Sequence, residues 1–250
     1  MKRMLILAML FVLLSSFSLA VCPEGMVSYW TFDNETVSGS TMQDIYGSND
    51  GSINGATVGA EAMVGEAFEF NGNSDYVMID DNNSLDMIKE LTVSAWVRPA
   101  EASGYFTAFR TIVSKDALES SPYSLHWNYK DDEIVMDLNA KTVRAVCPYD
   151  YSAHVGKWTH IVGLYNKSKI MVFVNGEHIC SQSYTADITS DDGALRIGHD
   201  GSTYDRWFPG KIDEVAIFNR SLNATEVEQL YNQSSQGYDY CGTYKNTLPL

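Results

Sequence analysis

Residues 210–220 read GKIDEVAIFNR, and the way this stretch is buried decides the fold. As a strand it places Ile212, Ala216 and Phe218 on one face and Val215 and Ile217 on the other, because side chains alternate with a period of two. A strand apolar on both faces must be covered on both, which puts it inside a layered β-structure. Asp213 shares its face with Val215 and Ile217 and so needs a polar partner in a partly buried setting. Just beyond, Asn223 is an N-cap with Glu226 at the capping-box position. Val227, Leu230 and Tyr231 follow at helical spacing, so the strand leads into a short helix.

Working outward, the chain is a succession of short strands broken by polar turns. Residues 25–33 (GMVSYWTFD) form the first, 67–71 and 76–79 flank a Gly-Asn-Ser-Asp turn, and 91–98 alternates Leu91, Val93, Ala95 and Val97 against Thr92, Ser94, Trp96 and Arg98. Residues 111–114, 123–129, 133–138, 142–147, 158–165 and 170–174 continue the spacing, and Asn175-Gly176 is a strong hairpin signal. The segment DIYGSNDGSIN at 44–54 is irregular backbone rich in turn residues. The expectation is one all-β domain over 22–233, an antiparallel two-sheet sandwich with a short C-terminal helix. A polar tail over 234–250 is expected to fray except where Cys241 ties it.

Lys2 and Arg3 precede an apolar run from Met4 to Leu14 and a small-residue end at Ser18-Leu19-Ala20, the pattern of an export signal over 1–20. With that segment removed no membrane span is expected, and the chain is read as secreted or held at the cell surface. The net charge of −15 argues against nucleic acid and anionic membrane surfaces as partners. Cys22, Cys147, Cys180 and Cys241 permit three pairings in an oxidising compartment, of which Cys147 with Cys180 and Cys22 with Cys241 are expected. Zinc is disfavoured because no two Cys or Cys/His ligands are closely spaced. Glycosylation sequons occur at Asn34, Asn82, Asn166, Asn219, Asn223 and Asn232.

The order of segments resembles the laminin-G-like jelly-roll family of the concanavalin A-like lectin/glucanase superfamily. The resemblance runs from Met26 to Tyr231. It rests on YWTFD at 29–33, FNG at 70–72 with DYV at 75–77, TVSAWV at 92–97, GKWTH at 156–160, FVNG at 173–176, RIG at 196–198 and GKIDEV at 210–215. It implies two antiparallel sheets in a jelly roll and says much less about function. Relatives often hold a structural Ca²⁺ where the first strand, the Asn/Gly loop and the closing strand meet. That implies Asp33, Asn49 and Asp213 as ligands, with Asp44, Asp50 and Asp75 as alternates. The competing reading is that these carboxylates accept hydrogen bonds from turn amides.

Catalysis finds little support. The glucanases of the superfamily carry Glu-x-Asp-x-Glu or a form one residue longer, and neither occurs. Glu133 and Asp137 lack the middle acid. No serine sits in GxSxG, and His126, His154, His160, His178 and His199 show no metal spacing. Sugar binding would use exposed aromatic faces beside polar loop groups. Of the loop aromatics Tyr105, Phe106, Tyr149, Tyr151, Tyr204 and Trp207, the pair Tyr204 and Trp207 is preferred because Asp205 and Arg206 lie between them. The sequence therefore reads as a non-catalytic binding or adhesion domain for a glycan or an extracellular protein. The alternatives are a structural surface component without a soluble ligand and, behind it, a glycoside hydrolase.

Overall fold

The alternation along the chain resolves into seventeen strands and one α-helix among the described residues of this computed structural model, 21–101, 108–116 and 120–246. The expected export signal at 1–20 and the loop aromatics Tyr105 and Phe106 lie outside the described residues. In chain order the strands are β1 (Met26–Trp30), β2 (Val37–Ser38), β3 (Thr41–Met42), β4 (Gly51–Asn54), β5 (Thr57–Glu61) and β6 (Glu66–Asn71). Then come β7 (Tyr76–Ile79), β8 (Leu91–Pro99), β9 (Phe109–Lys115), β10 (Tyr123–Asn128), β11 (Glu133–Leu138) and β12 (Val143–Pro148). The last are β13 (Thr159–Tyr165), β14 (Lys169–Val174), β15 (Glu177–Ser183), β16 (Leu195–Ile197) and β17 (Pro209–Phe218), before helix α1 (Ala224–Ser234).

The strands form two antiparallel sheets. The first runs β15-β14-β13-β8-β17-β6-β5, with β1 also paired to β17, and the second runs β12-β11-β10-β9-β16-β7-β4-β3-β2. Trp30, Phe68, Val93, Trp127, Met136 and Ile217 are among the side chains that fill the space between them. A second apolar layer covers the other face of the first sheet. There Tyr29, Trp96, Val162, Leu164 and Phe218 pack against Val227 and Leu230 of α1 and against Tyr240. Burying each such aliphatic side chain contributes roughly 2 kcal/mol, which is why the first sheet can be apolar on both sides. The helix is set by the capping box: the Asn223 side chain accepts from the Glu226 amide at 3.0 Å, and Glu226 accepts from the Asn223 amide at 2.8 Å.

β17 is the pivot of the first sheet. β8 lies along one side of it, while the other side is shared, β6 pairing with Pro209 to Ile212 and β1 with Val215 to Phe218. Between those halves the register slips: Asp213 faces Trp96 but Ala216 faces Ser94, so β17 carries one extra residue. Glu214 takes φ 52°, the backbone cost of this bulge. The bulge corrects the strict alternation expected for 210–220. Ile212 joins Val215 and Ile217 in the inter-sheet core, and Asp213 lies opposite Trp96 on the helix-covered side instead of with Val215 and Ile217.

The tail is also tied more firmly than expected. Beyond α1 the chain turns back at residues 235–237 and crosses the first sheet's outer face, burying Tyr240. The Tyr240 ring stacks on Tyr29 at 5.3 Å and its amide donates to the Tyr29 hydroxyl at 2.9 Å. Cys22 is bonded to Cys241, and Cys147 on β12 to Cys180 on β15, the latter joining edge strands of the two sheets.

Candidate functional site

Among the described residues three places bear on the expected sites, apart from the buried Lys115 ammonium ringed by Asp81, Asp86 and Asp191. The first is the gap in the first sheet between the end of β1 and the start of β6. Its centre is the turn Met63 to Glu66, whose four amides are all taken by side chains from far along the chain. Met63 and Val64 donate to Asp213 Oδ2 at 3.1 and 3.0 Å, Gly65 to Asn246 Oδ1 at 2.7 Å, and Glu66 to Asp33 Oδ1 at 2.8 Å. A Cβ on Gly65, at φ 61°, would come within 2.1 Å of Asp33 Oδ1, so only glycine admits the carboxylate there. Asp33 and Asp213 are thus brought to one junction from opposite ends of the chain. Beside them Glu214, fully buried, accepts a hydrogen bond from the Tyr29 hydroxyl.

Burial dominates the electrostatics of this junction. It pushes the Asp213 carboxyl well above the carboxylate range, against the amides of Met63 and Val64 and with added repulsion from Asp33. Glu214 is raised likewise, by burial and then by the charge of Asp213. Asp33 is raised by burial too, although the Glu66 amide and the Lys245 ammonium pull the other way. Lys245 Nζ lies 3.5 Å from Asp33 Oδ2 and is hydrogen-bonded to Glu35.

Asn49 is not part of this group. Its side-chain amide donates to Ser28 Oγ at 2.7 Å and Ser84 Oγ at 3.0 Å, its Oδ1 accepts from the Ser84 hydroxyl at 3.3 Å, and its backbone carbonyl accepts from the Trp30 indole at 2.8 Å. The alternates are committed to turn amides. Asp44 accepts from the amides of Tyr29, Tyr46, Gly47 and Asn49, Asp50 from Asp44, and Asp75 from Asn71. Calcium asks for about six to eight converging oxygens. Asp33 Oδ2, Asp213 Oδ1 and Glu214 Oε1 are buried without a hydrogen bond, which would suit a cation. Yet Asn49's oxygens are spent elsewhere, the Asp33 oxygen already faces Lys245, and no three acidic, His or Cys side chains converge as ligands among the described residues. Asp33, Asn49 and Asp213 therefore do not fit calcium as a set.

The second place is the outer face of the second sheet, where His126 is fully buried with its Nδ1 3.1 Å from Thr111 Oγ1 and its Nε2 2.7 Å from Ser124 Oγ. Asp137 Oδ2 lies 3.6 Å from the same Nε2 and is itself held by Arg144. A serine–histidine–carboxylate relay needs the serine and the carboxylate on opposite ring nitrogens. Here both sit on Nε2 and every member is buried, so the group is a packed polar network. Burial lowers His126 to about 3. His160, on the helix side, is also lowered by burial to about 3, and its Nε2 meets Ser94 Oγ and the Tyr240 hydroxyl, each at 2.9 Å.

The third place is open to solvent. The loop between β16 and β17 is closed at its neck by the Phe208 amide donating to the Gly198 carbonyl at 2.9 Å. Gly198 sits at φ 87° with a Cβ position 2.7 Å from the Phe70 ring, so glycine is required where the loop leaves the sheet. Inside the loop, Asp200 is fully buried, accepting from Arg206 Nη1 at 2.7 Å and from the Ser202 amide and hydroxyl at 3.0 and 2.6 Å. Burial alone would raise Asp200, but the Arg206 and Ser202 bonds outweigh it and hold the carboxylate low. His199 Nδ1 accepts from the Gly201 amide at 3.0 Å, which leaves the proton on Nε2; burial lowers this imidazole against the pull of Asp200.

On this base the loop presents aromatic rings. The half-exposed Trp207 indole lies flat on His199, centroids 3.5 Å apart and planes 8° apart, with Tyr76 of β7 beside it at 6.0 Å. Tyr204 is 48% exposed, with the Arg206 guanidinium 4.7 Å from its ring centre. The structure thus puts Tyr204 and Trp207 on one loop and adds Tyr76 and His199, which the sequence reading did not single out. Tyr76 was readable: it alternates with the core residues Val77 and Ile79 and so points outward. Tyr151 is buried and bonded to the Ala100 carbonyl, and Tyr149 packs on Trp127 and His154.

Of the sequon asparagines, Asn34, Asn219, Asn223 and Asn232 are exposed and Asn82 and Asn166 partly so. Among the described residues no helix is long and apolar enough to cross a membrane.

The family model described as the concanavalin A-like lectin/glucanases superfamily matches residues 71–228, more than half of the chain. The chain belongs to this superfamily. Solved structures of the same fold resemble this superfamily member at low identity. The binding domain of Paraclostridial Mosquitocidal Protein 1 gives a TM-score of 0.66 at 17% identity, over 88% of this chain and 55% of that one. Domain 4 of AbnA, a GH43 extracellular arabinanase from Geobacillus stearothermophilus in complex with arabinotriose, gives 0.65 at 21%, over 82% and 98%. The binding domain of botulinum neurotoxin DC, in complex with rat synaptotagmin II, gives 0.64 at 16%, over 87% and 52%. The chain spans about half of each toxin domain. No curated protein matches it in sequence.

Proposed function

We propose that this chain is an exported, non-catalytic binding domain that holds a neutral glycan on the aromatic rim formed by Trp207, Tyr204 and Tyr76. The observation that carries this reading is the flat stack of Trp207 on buried His199, which fixes an indole that stays partly exposed to solvent. Sugar sites combine such rigid aromatic surfaces with a few placed polar groups, and Asp205, Arg206 and Ser202 lie on the same loop. The net charge of −15 favours neutral over anionic polysaccharides. The arabinotriose on AbnA domain 4 and the synaptotagmin on the neurotoxin domain support a glycan or protein partner for this fold, and the ring geometry favours the glycan. The disulfides support an oxidising, extracellular setting. Hydrolysis calls for two carboxyl groups flanking the bond, whereas Asp213 and Glu214 are fully buried. Binding to an array of neutral polysaccharides, arabinan among them, tests this. Trp207→Ala is expected to weaken capture about 30-fold, roughly 2 kcal/mol, with the circular dichroism spectrum retained; equal binding by the variant overturns the reading.

A further inference from the structure

We infer that Lys245 is the resident counter-ion of the carboxylate junction, carried there by the C-terminal segment, and that the junction needs no divalent metal.

The segment after α1 makes a chain of specific contacts that all serve this junction. Cys241 is bonded to Cys22, the Tyr240 amide donates to Tyr29, and Tyr29 in turn donates to Glu214. The Lys245 amide donates to the Gly237 carbonyl at 2.9 Å, which folds the segment back on itself. Asn246 then grips the central turn with both ends of its amide: its Oδ1 accepts from Gly65 and its Nδ2 donates to the Met63 carbonyl at 2.9 Å. That grip aims the neighbouring lysine. Its ammonium reaches Asp33 Oδ2 at 3.5 Å and bonds Glu35.

A buried carboxylate oxygen without a hydrogen bond is costly unless a charge offsets it. Asp33 Oδ2 is such an oxygen, and Lys245 is the cation that the fold places beside it. Asp33, Glu35, Glu66 and Lys245 line an open cleft of about 540 Å³ with Tyr244, so dissolved ions can reach the pair. A cation at this position closes the gap left where β1 and β6 meet β17. A lysine fixed by disulfide and asparagine does this at no dependence on external metal.

The test is thermal melting of the full chain, dialysed against chelator and then with excess CaCl₂, for wild type and for Lys245→Met. Wild type is expected to melt at the same temperature in both buffers. Lys245→Met is expected to melt about 3 °C lower in chelator, a shift of the size a single lost interaction gives in a chain of this length, and to recover part of that loss in calcium. A wild-type Tm that falls by several degrees on chelation overturns the inference. So does a Lys245→Met protein that melts at the wild-type temperature in chelator.

Discussion

The junction beneath the C-terminal segment and the rim around Trp207 are built from the same kinds of side chain and put them to opposite ends. At the junction Tyr29 bonds Glu214, Tyr240 stacks on Tyr29, Trp96 lies opposite Asp213 and His160 packs on Trp96, and each is buried. At the rim His199 and Asp200 are buried just as deeply, but Trp207 and Tyr204 reach solvent above them. The difference lies in what covers the layer. α1 and the tail lie over the first, so its acids shift toward neutrality and its aromatics become core. The second lies on an eleven-residue loop, Gly198 to Phe208, closed at its neck, and its polar base backs rings that stay partly exposed. Titratable residues gathered in one place therefore do not by themselves mark an exposed site here.

The largest effect should come from cutting the cross-link that ties the C-terminal segment down over the junction. Replacing Cys22 and Cys241 together by serine removes a cross-link spanning 219 residues and is expected to cost about 4 kcal/mol of stability in chemical denaturation. Polysaccharide capture by the remaining folded protein should be unchanged. A variant that stays as stable as wild type, or one that folds but no longer binds, would break the distinction drawn between junction and rim.

A smaller effect is expected from pH. His126 and His160 stay neutral in the fold down to about 3, below the ordinary value near 6.5 in the unfolded chain. Their folded values are depressed, so the unfolded chain binds protons first: stability is complete above about pH 6.5 and falls as pH drops toward 3. Each histidine should account for roughly 1 kcal/mol by pH 5.5. His160→Gln should remove its share and flatten the acid limb of a stability–pH curve measured in urea. Asp213 and Glu214 run the other way: their raised values favour the fold at acid pH and lose that contribution as pH rises. An acid limb unaltered in His160→Gln would show that this imidazole is not buried neutral.

Much of the architecture was legible because local chemistry and global fold agree. Asn175 and Gly176 take φ 50° and 82° in the hairpin joining β14 to β15, as an Asn-Gly turn should, and Asn223 with Glu226 caps α1. The bulge at Glu214 was not legible, because a non-glycine residue forced into the left-handed region by the strands on either side leaves no mark in the sequence. It moved Asp213 to the other face. The place of Asn49 is not legible because an Asn/Gly loop can turn carbonyls toward a cation or toward its own amides with equal ease; Asp44 decides for the amides here. Tyr76 and Trp207 meet only through tertiary packing, and His199 gains its role from the indole laid on it, which spacing along the chain does not reveal.

The most direct measurement of the central claim is an NMR titration of ¹⁵N-labelled protein with a neutral oligosaccharide that the array identifies. The account predicts shift changes confined to the Trp207 indole NH and the amides of the 199–207 loop and Tyr76, with the amides of Met63 to Glu66 and Tyr240 unmoved. Changes centred on the turn at Met63 to Glu66, with the Trp207 indole unaffected, would contradict it.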